Sequence, residues 1–407
     1  YRSAPFGGGQ GIYVHDISKA LRASGHSVDI ISGPPYPNLA EGITLKKLPG
    51  LDLFQTFSFR ERLKIFFGRK SKKLIDIYEF IATLFGSFPE MRTFGHRSYK
   101  WLLDNNNYDI VIDNQSISFG MLDIQKIVPF IEIIHHPITK DYKHELQASN
   151  KILYRLSRYR WYSFLGMQKK VAPRIKRIIT PSKNSQKDIS IDFKCNPSNI
   201  SVINNGLDID KFISYKNIER LPHRLITTAS ADVPLKGLDF TLKAISKLKI
   251  DYPNIDLIII GKLKDDGHTS RLIKSLQIED IVHFKTNLTK EDIAMEYAKS
   301  SIAIVSSLYE GFGYPVIEAM SCGVPLIAAN TSSIPELVGD FASLVPPKDV
   351  SALVNSIEQI TNNYEQYEKV AEEGREHIIN NFNWTKITNE YEKVIYQTIE
   401  DFKNANV

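Results

Sequence analysis

In the stretch "YEGFGYPVIEAMSCGVP", Tyr309 to Pro325, two carboxylates, Glu310 and Glu318, flank a Gly-Phe-Gly turn and a short apolar helix. An ionised glutamate only accepts hydrogen bonds, and it can take two from vicinal hydroxyls such as those of a ribose or a hexose. An anion placed beside such acids is repelled, whereas the N–H groups and dipole at the start of the helix attract one. A ligand with phosphates for the amides and hydroxyls for the acids satisfies both, and a sugar nucleotide has both. The plainer reading is a solvated loop acid and an acid in a helix's first turns, placed for the macrodipole. Spacing alone leaves both readings open.

The elements around the acids favour a site. "SIAIVSS" is a short β-branched apolar run, the mark of a buried strand in a parallel sheet. Pro315 suits the start of a helix, and Gly323 with Pro325 stops it. The order strand, glycine turn, helix, strand places Glu310 in the loop at a strand's C-terminal end, where open α/β sheets bind ligands. Similar runs recur along the chain. "SVDIIS", "YDIVID", "FIEIIH" and "RIIT" alternate with helical patterns in the first half. "LITTAS", "IDLIIIG", "IVHF", "SIAIVSS" and "PLIAA" do so in the second, with helices starting near Leu238, Thr269, Lys290, Pro315 and Val350. Both halves therefore read as doubly wound α/β domains. The expected boundaries are 1–205 for the first domain, 206–223 for a linker turning at Asn205-Gly206, 224–383 for the second domain, and 384–407 for a terminal helix able to pack back on the first. Only six residues precede Gly7, with Pro5 among them. A glycine turn needs a strand to emerge from, so about ten more residues, an apolar strand among them, are expected ahead of Tyr1.

The 407 residues are 43% hydrophobic and 24% charged, the composition of a globular protein with room for two full cores. Cys195 and Cys322 are too far apart in sequence for a metal or disulfide framework and read as buried thiols in a reducing compartment. No apolar run is long enough to span a bilayer, and no signal pattern opens the sequence, so a cytoplasmic location is expected. The net charge of +5 hides an asymmetry: residues 1–205 hold 30 basic against 17 acidic side chains, and residues 206–407 hold 21 against 29. A basic half suits nucleic acid, an anionic lipid surface or an acidic substrate.

Other motifs carry less. Gly7-Gly8-Gly9-Gln10-Gly11 opens onto a helix and lets backbone approach a ligand closely, or is merely a tight turn. A dinucleotide fingerprint fails because Ile12 takes its last glycine position, and Asp29 lies in mid-strand. The "DID" of Asp208 to Asp210 sits in the linker and reads as a solvated turn, not a metal site. His135-His136 end a strand; with no third ligand at matching spacing, zinc is disfavoured, and a neutral His135 donating to a substrate hydroxyl is the sharper reading. Lys236-Gly237 precede a helix, where a lysine either meets a phosphate or is simply solvated. Lys151 to Arg177 holds nine basic residues, no acid, and Tyr154, Tyr159, Trp161, Tyr162 and Phe164; "FRERLKIFFGRKSKK" holds seven against Glu61. Two basic aromatic segments in one basic domain point to an anionic membrane surface, reached through Arg155, Arg158, Trp161 and Lys169, in preference to nucleic acid.

Taken together, "GGQGIYVHDISKAL", "VINNGLDIDKF" and "EGFGYPVIEAMSCGVPLIA" resemble the family-4 glycosyltransferases over nearly the whole chain, the last matching the family's E-x7-E signature. The resemblance implies the GT-B architecture, two doubly wound Rossmann-like domains facing an interdomain cleft. It implies a retaining, metal-independent transfer of a hexosyl or N-acetylhexosaminyl group from a nucleoside-diphosphate sugar, with no cofactor. It assigns Glu310 to the transferred sugar, Glu318 to the ribose hydroxyls, and Gly311, Phe312 and Gly313 to the sugar and diphosphate through their N–H groups. Lys236 matches the family's phosphate lysine and His135 its histidine near the donor sugar, while Gly9 and Gly11 join the donor-binding set. Two departures stand out: Ala231 lies near the place of the family's second phosphate-binding cation, and His136 replaces its usual aspartate. The implied partners are a nucleotide sugar, a glycan or lipid-linked acceptor, and an anionic membrane at the inner face of the cell, but no nucleic acid. An epimerase of like architecture and a non-catalytic two-domain sugar-binding protein are the other classes; the first has no use for a membrane-facing helix, and the second leaves the E-x7-E segment unexplained.

Overall fold

Parallel strands organise the chain, which divides into two units, Tyr1–Asn205 with Trp384–Val407, and Gly206–Asn383. The computed structural model describes residues 1, 9–54, 56, 58–69, 72–147 and 151–405. Gly7 and Gly8 of the glycine run, and Lys70 of the first basic stretch, lie outside these.

The first unit runs α1 (Gly9–Ala23), β1 (Asp29–Ser32), β2 (Thr44–Lys47), α2 (Phe59–Gly68), α3 (Leu74–Leu84), α4 (Glu90–Asp104), β3 (Val111–Asn114), α5 (Phe119–Ile127), β4 (Phe130–Ile133), α6 (Thr139–Gln147), α7 (Ile152–Trp161), α8 (Leu165–Val171), β5 (Ile178–Thr180), α9 (Lys183–Asp192) and β6 (Ile200–Val202). Its strands form two parallel sheets, β1-β2 and β3-β4-β5-β6. Among the described residues no strand pairs between β1 and β3, yet both sheets feed one core, where Ile30 and Ile112 pack with Ile131, Ile133 and Ile179. The Tyr108 hydroxyl donates to Asp29 at 2.8 Å. Asp29 opens β1, where mid-strand was expected, and is tied to a neighbouring side chain.

The second unit runs β7 (Leu221–Thr228), α10 (Leu238–Leu248), β8 (Asp256–Ile260), α11 (His268–Leu276), β9 (Val282–Lys285), α12 (Lys290–Lys299), β10 (Ser300–Val305), α13 (Tyr314–Ser321), β11 (Leu326–Ala329), α14 (Ile334–Val338), β12 (Ser343–Val345), α15 (Val350–Asn362) and α16 (Tyr364–Asn381). The strand order is β12-β11-β10-β7-β8-β9, all parallel, with the reversal between β7 and β10. β7 begins at Leu221, inside the segment read as a linker. β10 is buried along its whole length, which is why its sequence shows no alternation. Each isoleucine or valine so taken from water contributes about 1.5–3 kcal/mol. Helix starts are fixed locally: Thr289 and Asp292 form a capping box on α12, and Asp349 caps α15 through the Ala352 N–H at 2.9 Å.

The last helix, α17 (Trp384–Ala405), belongs to the first unit. Its Ile387, Tyr391 and Ile395 complete the core formed by Tyr13, Val14, Ile17 and Leu21. The hydroxyls of Tyr13 and Tyr391 meet at 2.7 Å, and His26 meets Glu392 at 2.9 Å.

Candidate active site

The sheet order of the second unit brings two loops together. One follows β7 and carries Lys236; the other follows β10 and carries Glu310. Because β7 and β10 are neighbours at the reversal, their C-terminal loops stand side by side. They are laced by the Leu308 N–H on the Leu235 carbonyl at 2.7 Å and by Ser306 Oγ on the Gly237 carbonyl at 3.0 Å. Gly237 is left-handed at φ 63°, and a Cβ there would lie 2.0 Å from the Ser306 carbonyl oxygen, so only glycine allows this approach.

Lys236 Nζ donates to Glu310 Oε1 at 2.7 Å, and Ser307 Oγ donates to the same oxygen at 2.7 Å. The loop is held from the other side by Ser332 Oγ, which accepts the Glu310 N–H at 2.8 Å, and by Ser333 Oγ, which donates to the Glu310 carbonyl at 2.9 Å and also to that of Phe312. Gly313, at φ 121°, turns the chain into α13, which starts at Tyr314 with Pro315 in its first turn. The Phe312 ring is buried, 5.5 Å from Tyr314 and edge-on to it, so the residue presents backbone and not its ring.

Glu318 lies in the middle of α13. Enclosure by protein pushes its carboxyl up to about 7; Lys290 and then Lys236 pull it down, and Glu310 pushes it up. Tyr297, below it, bonds Thr228 at 3.0 Å and is itself raised by burial and by the charge of Glu318. Lys290 was not among the expected residues. It is 3.7 Å from Asp208, while Lys211 pairs with Glu291, so "DID" is anchored to the first turn of α12 and is not a free solvated turn.

In the first unit His135 follows β4. Burial, with the charge of His136, lowers its pKa to about 3, so the ring is neutral. Its Nε2 lies 2.8 Å from Asn114 Oδ1, its backbone N–H donates to Gln115 Oε1 at 2.8 Å, and its ring meets Tyr13 edge-on at 4.6 Å. With Asn114 oxygen as the acceptor, Nε2 carries the proton and Nδ1 is left as an acceptor. His136 instead pairs with Asp141 at 2.8 Å. The turn that holds His135 contains Gln115 and Ile117 at positive φ. Two register partners, Asp113 and Glu132, brace it: Asp113 accepts the Ser116 N–H at 2.7 Å and Glu132 accepts that of Ile117 at 3.3 Å. Glu132 is fully buried, and burial, then the charge of Asp113, raises its pKa well above the carboxylate range. Gly9 and Gly11 lie in the first turn of α1.

The basic segment divides into inward and outward residues. Trp161 stacks on Phe88 at 5.2 Å, and Arg158 pairs with Glu145 at 3.3 Å while lying over Tyr154 and Trp161. Both are structural, unlike the outward anchors expected. Arg155, Arg160 and Lys169 do face outward, with Ile152, Leu153 and Tyr159 exposed beside the first two on α7. No group of acids, histidines or cysteines among the described residues is arranged to hold a metal. No helix among them is long and apolar enough to cross a membrane.

Residues 211–377 match the family described as glycosyl transferases group 1, and residues 7–211 match Glycosyltransferase Family 4. The MMP alpha-(1->4)-mannosyltransferase of Mycolicibacterium hassiacum is 36% identical over 405 residues, 97% of each chain. The O-antigen chain mannosyltransferase B of Escherichia coli is 36% identical over 30% of this chain. Among solved structures, sucrose-phosphate synthase of Thermosynechococcus elongatus superposes with a TM-score of 0.73 at 20% identity, covering 98% of this chain and 96% of that one. WaaG, a glycosyltransferase involved in lipopolysaccharide biosynthesis, does so at 0.68 and 16% identity, covering 96% of each. The fold is that of the GT-B glycosyltransferases, and the chain belongs to glycosyltransferase family 4.

Proposed function

We propose that this protein is a retaining, metal-independent glycosyltransferase that moves a hexosyl group, a mannosyl residue first among the candidates, from a nucleoside-diphosphate sugar to an acceptor hydroxyl. The observation that carries the reading is the Lys236–Glu310 contact with Glu318 behind it, at the strand-order reversal of the second unit. The 36% identical relative named as a mannosyltransferase supports the choice of sugar.

In this reading Lys236 and the backbone of Gly311 to Gly313 take the diphosphate, Glu318 the ribose hydroxyls and Glu310 the sugar. The bond from the anomeric carbon to the diphosphate oxygen breaks as the acceptor oxygen bonds to the same face, and the acceptor's proton passes to the departing phosphate. Lys236 stabilises the negative charge that grows on that leaving group. No second carboxylate about 5 Å away is needed, as it is in retaining glycosidases. The acceptor is a glycan or lipid-linked glycan of the cell envelope, met at the inner face of the membrane, where the outward basic residues of α7 and α8 engage anionic lipid.

Incubation with GDP-mannose, UDP-glucose and UDP-N-acetylglucosamine, with thermal shift as the first screen, tests the donor. A ligand at 100 times its Kd stabilises by about 2.7 kcal/mol. An α-linked product from an α-linked donor is the expected result, and a β-linked product rules out retention.

A further inference from the structure

The first unit has a cavity of about 230 Å³ bounded by α3, α4, α5 and the segment Tyr162–Val171. Its apolar walls include Phe88, Phe119 and Phe164, and its charged groups are Arg92 and Lys170; no acid lines it. The Arg92 guanidinium lies over two rings, 5.0 Å from the centroid of Tyr78 and 5.5 Å from that of Phe119. A guanidinium attracted to ring faces keeps several N–H donors in a planar fork, which fits phosphate oxygens. One of those nitrogens lies 3.4 Å from the Tyr78 hydroxyl.

The apolar surface continues past the cavity. Tyr78 belongs to α3, on which Leu74 and Ile81 are 86% and 47% exposed, and Phe85 at its end is 70% exposed. Such a face beside a doubly cationic pocket calls for an amphiphile, since a free sugar phosphate leaves the α3 residues in water.

We propose that this cavity binds the phosphate head of a lipid, with Arg92 and Lys170 on the phosphate and Phe119, Phe88 and the α3 face against the apolar body. None of these residues belongs to the donor set, so the site stands or falls separately from the transfer reaction.

Isothermal titration of the full chain with octyl phosphate, kept below its micelle concentration, tests this against inorganic phosphate and octyl glucoside. Octyl phosphate should bind at least tenfold more tightly than either. The double variant Arg92→Gln with Lys170→Gln should lose at least tenfold of that affinity; both side chains are exposed, so its thermal midpoint should match wild type. Inorganic phosphate binding as tightly as octyl phosphate would identify a free-phosphate site and overturn the lipid. Equal binding of octyl glucoside would overturn the anion. Undiminished binding by the double variant, or no binding of octyl phosphate by wild type, would overturn the cavity itself.

Discussion

Lys236 and Glu310 meet at 2.7 Å across the two loops that the strand-order reversal sets side by side. The contact sets how available the ammonium is to a ligand. The ammonium is already matched by a carboxylate, so a diphosphate competes with Glu310 for it. The carboxylate takes both Lys236 and Ser307 on Oε1, which leaves Oε2 as an acceptor for a sugar hydroxyl.

Glu310→Gln should therefore separate binding from turnover. The neutral amide releases Lys236 and should leave affinity for the free nucleoside diphosphate equal to or tighter than wild type. Turnover should fall by roughly 10²–10³, the usual loss when an electrostatic contact to the reacting group is removed. Calorimetry with the diphosphate and steady-state kinetics read the two effects; a weaker diphosphate complex would rule out competition for Lys236.

Lys236→Ala should cost roughly 2–4 kcal/mol of transition-state stabilisation through loss of leaving-group charge. EDTA should leave transfer by wild type unchanged. If chelation abolishes transfer and magnesium or manganese restores it, the metal-independent reading is wrong.

The pH dependence of nucleotide binding should follow Glu318. Its carboxyl is held near 7 against an ordinary 4.5, so it is half protonated near neutrality. Only the ionised form accepts two ribose hydroxyls, so affinity should fall as pH drops through about 7, by up to tenfold per pH unit. Stability runs the other way. A pKa raised by folding gives a contribution that is complete below about 4.5 and lost as pH rises through about 7, on the order of 3 kcal/mol in all. Glu318→Gln should flatten both profiles and leave only the titration of the ligand's own phosphate, near about 6. Parallel profiles for the variant and wild type would remove Glu318 from the nucleotide site.

Membrane attachment should depend on outward charges alone. Reversing Arg155, Arg160 and Lys169 to Glu should abolish sedimentation with anionic liposomes, as each basic residue near such a surface contributes about 1 kcal/mol. Arg158→Glu should instead lower the melting temperature, because Arg158 pairs with Glu145. Wild type that fails to bind these liposomes at low salt would leave α7 as a solvated face.

Gly237→Ala should destabilise the second unit by at least 1–2 kcal/mol, about the cost of a left-handed residue with a Cβ, and the clash with the Ser306 carbonyl should add to it. Since that clash pushes apart the loops of Lys236 and Glu310, activity should fall further than the loss of folded protein explains. Activity that tracks folded fraction alone would make Gly237 a turn and nothing more.

Lys236, Glu310 and Glu318 were legible because each follows a recognisable strand or sits in a short helix with clear stop signals. The helices at Leu238, Lys290 and Val350 begin where capping and periodicity put them. What the sequence hid was tertiary. β2, β6 and β12 have three or four residues each, too few to show a period. Ser332 and Ser333 touch the Glu310 loop from a different strand end, so no local pattern marks them. The inward turn of Arg158 and Trp161 depends on Glu145 and Phe88, which a helical wheel of α7 does not contain. Glu132 could be read as an acid in an apolar run; that its register partner is Asp113 could not.

The packing of α17 against α1 reverses the order in which the protein is finished. The two halves of that core, Tyr13 to Leu21 and Ile387 to Ile395, are separated by all of the second unit. At about 5–20 residues per second of synthesis, the first-made half waits on the order of twenty to seventy seconds for its counterpart. The second unit is contiguous and needs no later residue, so it is complete while the first still shows an apolar groove to chaperones and proteases. A chain cut short before Trp384 would spoil the unit made first and spare the one made last, which ties quality control of the whole protein to its final helix.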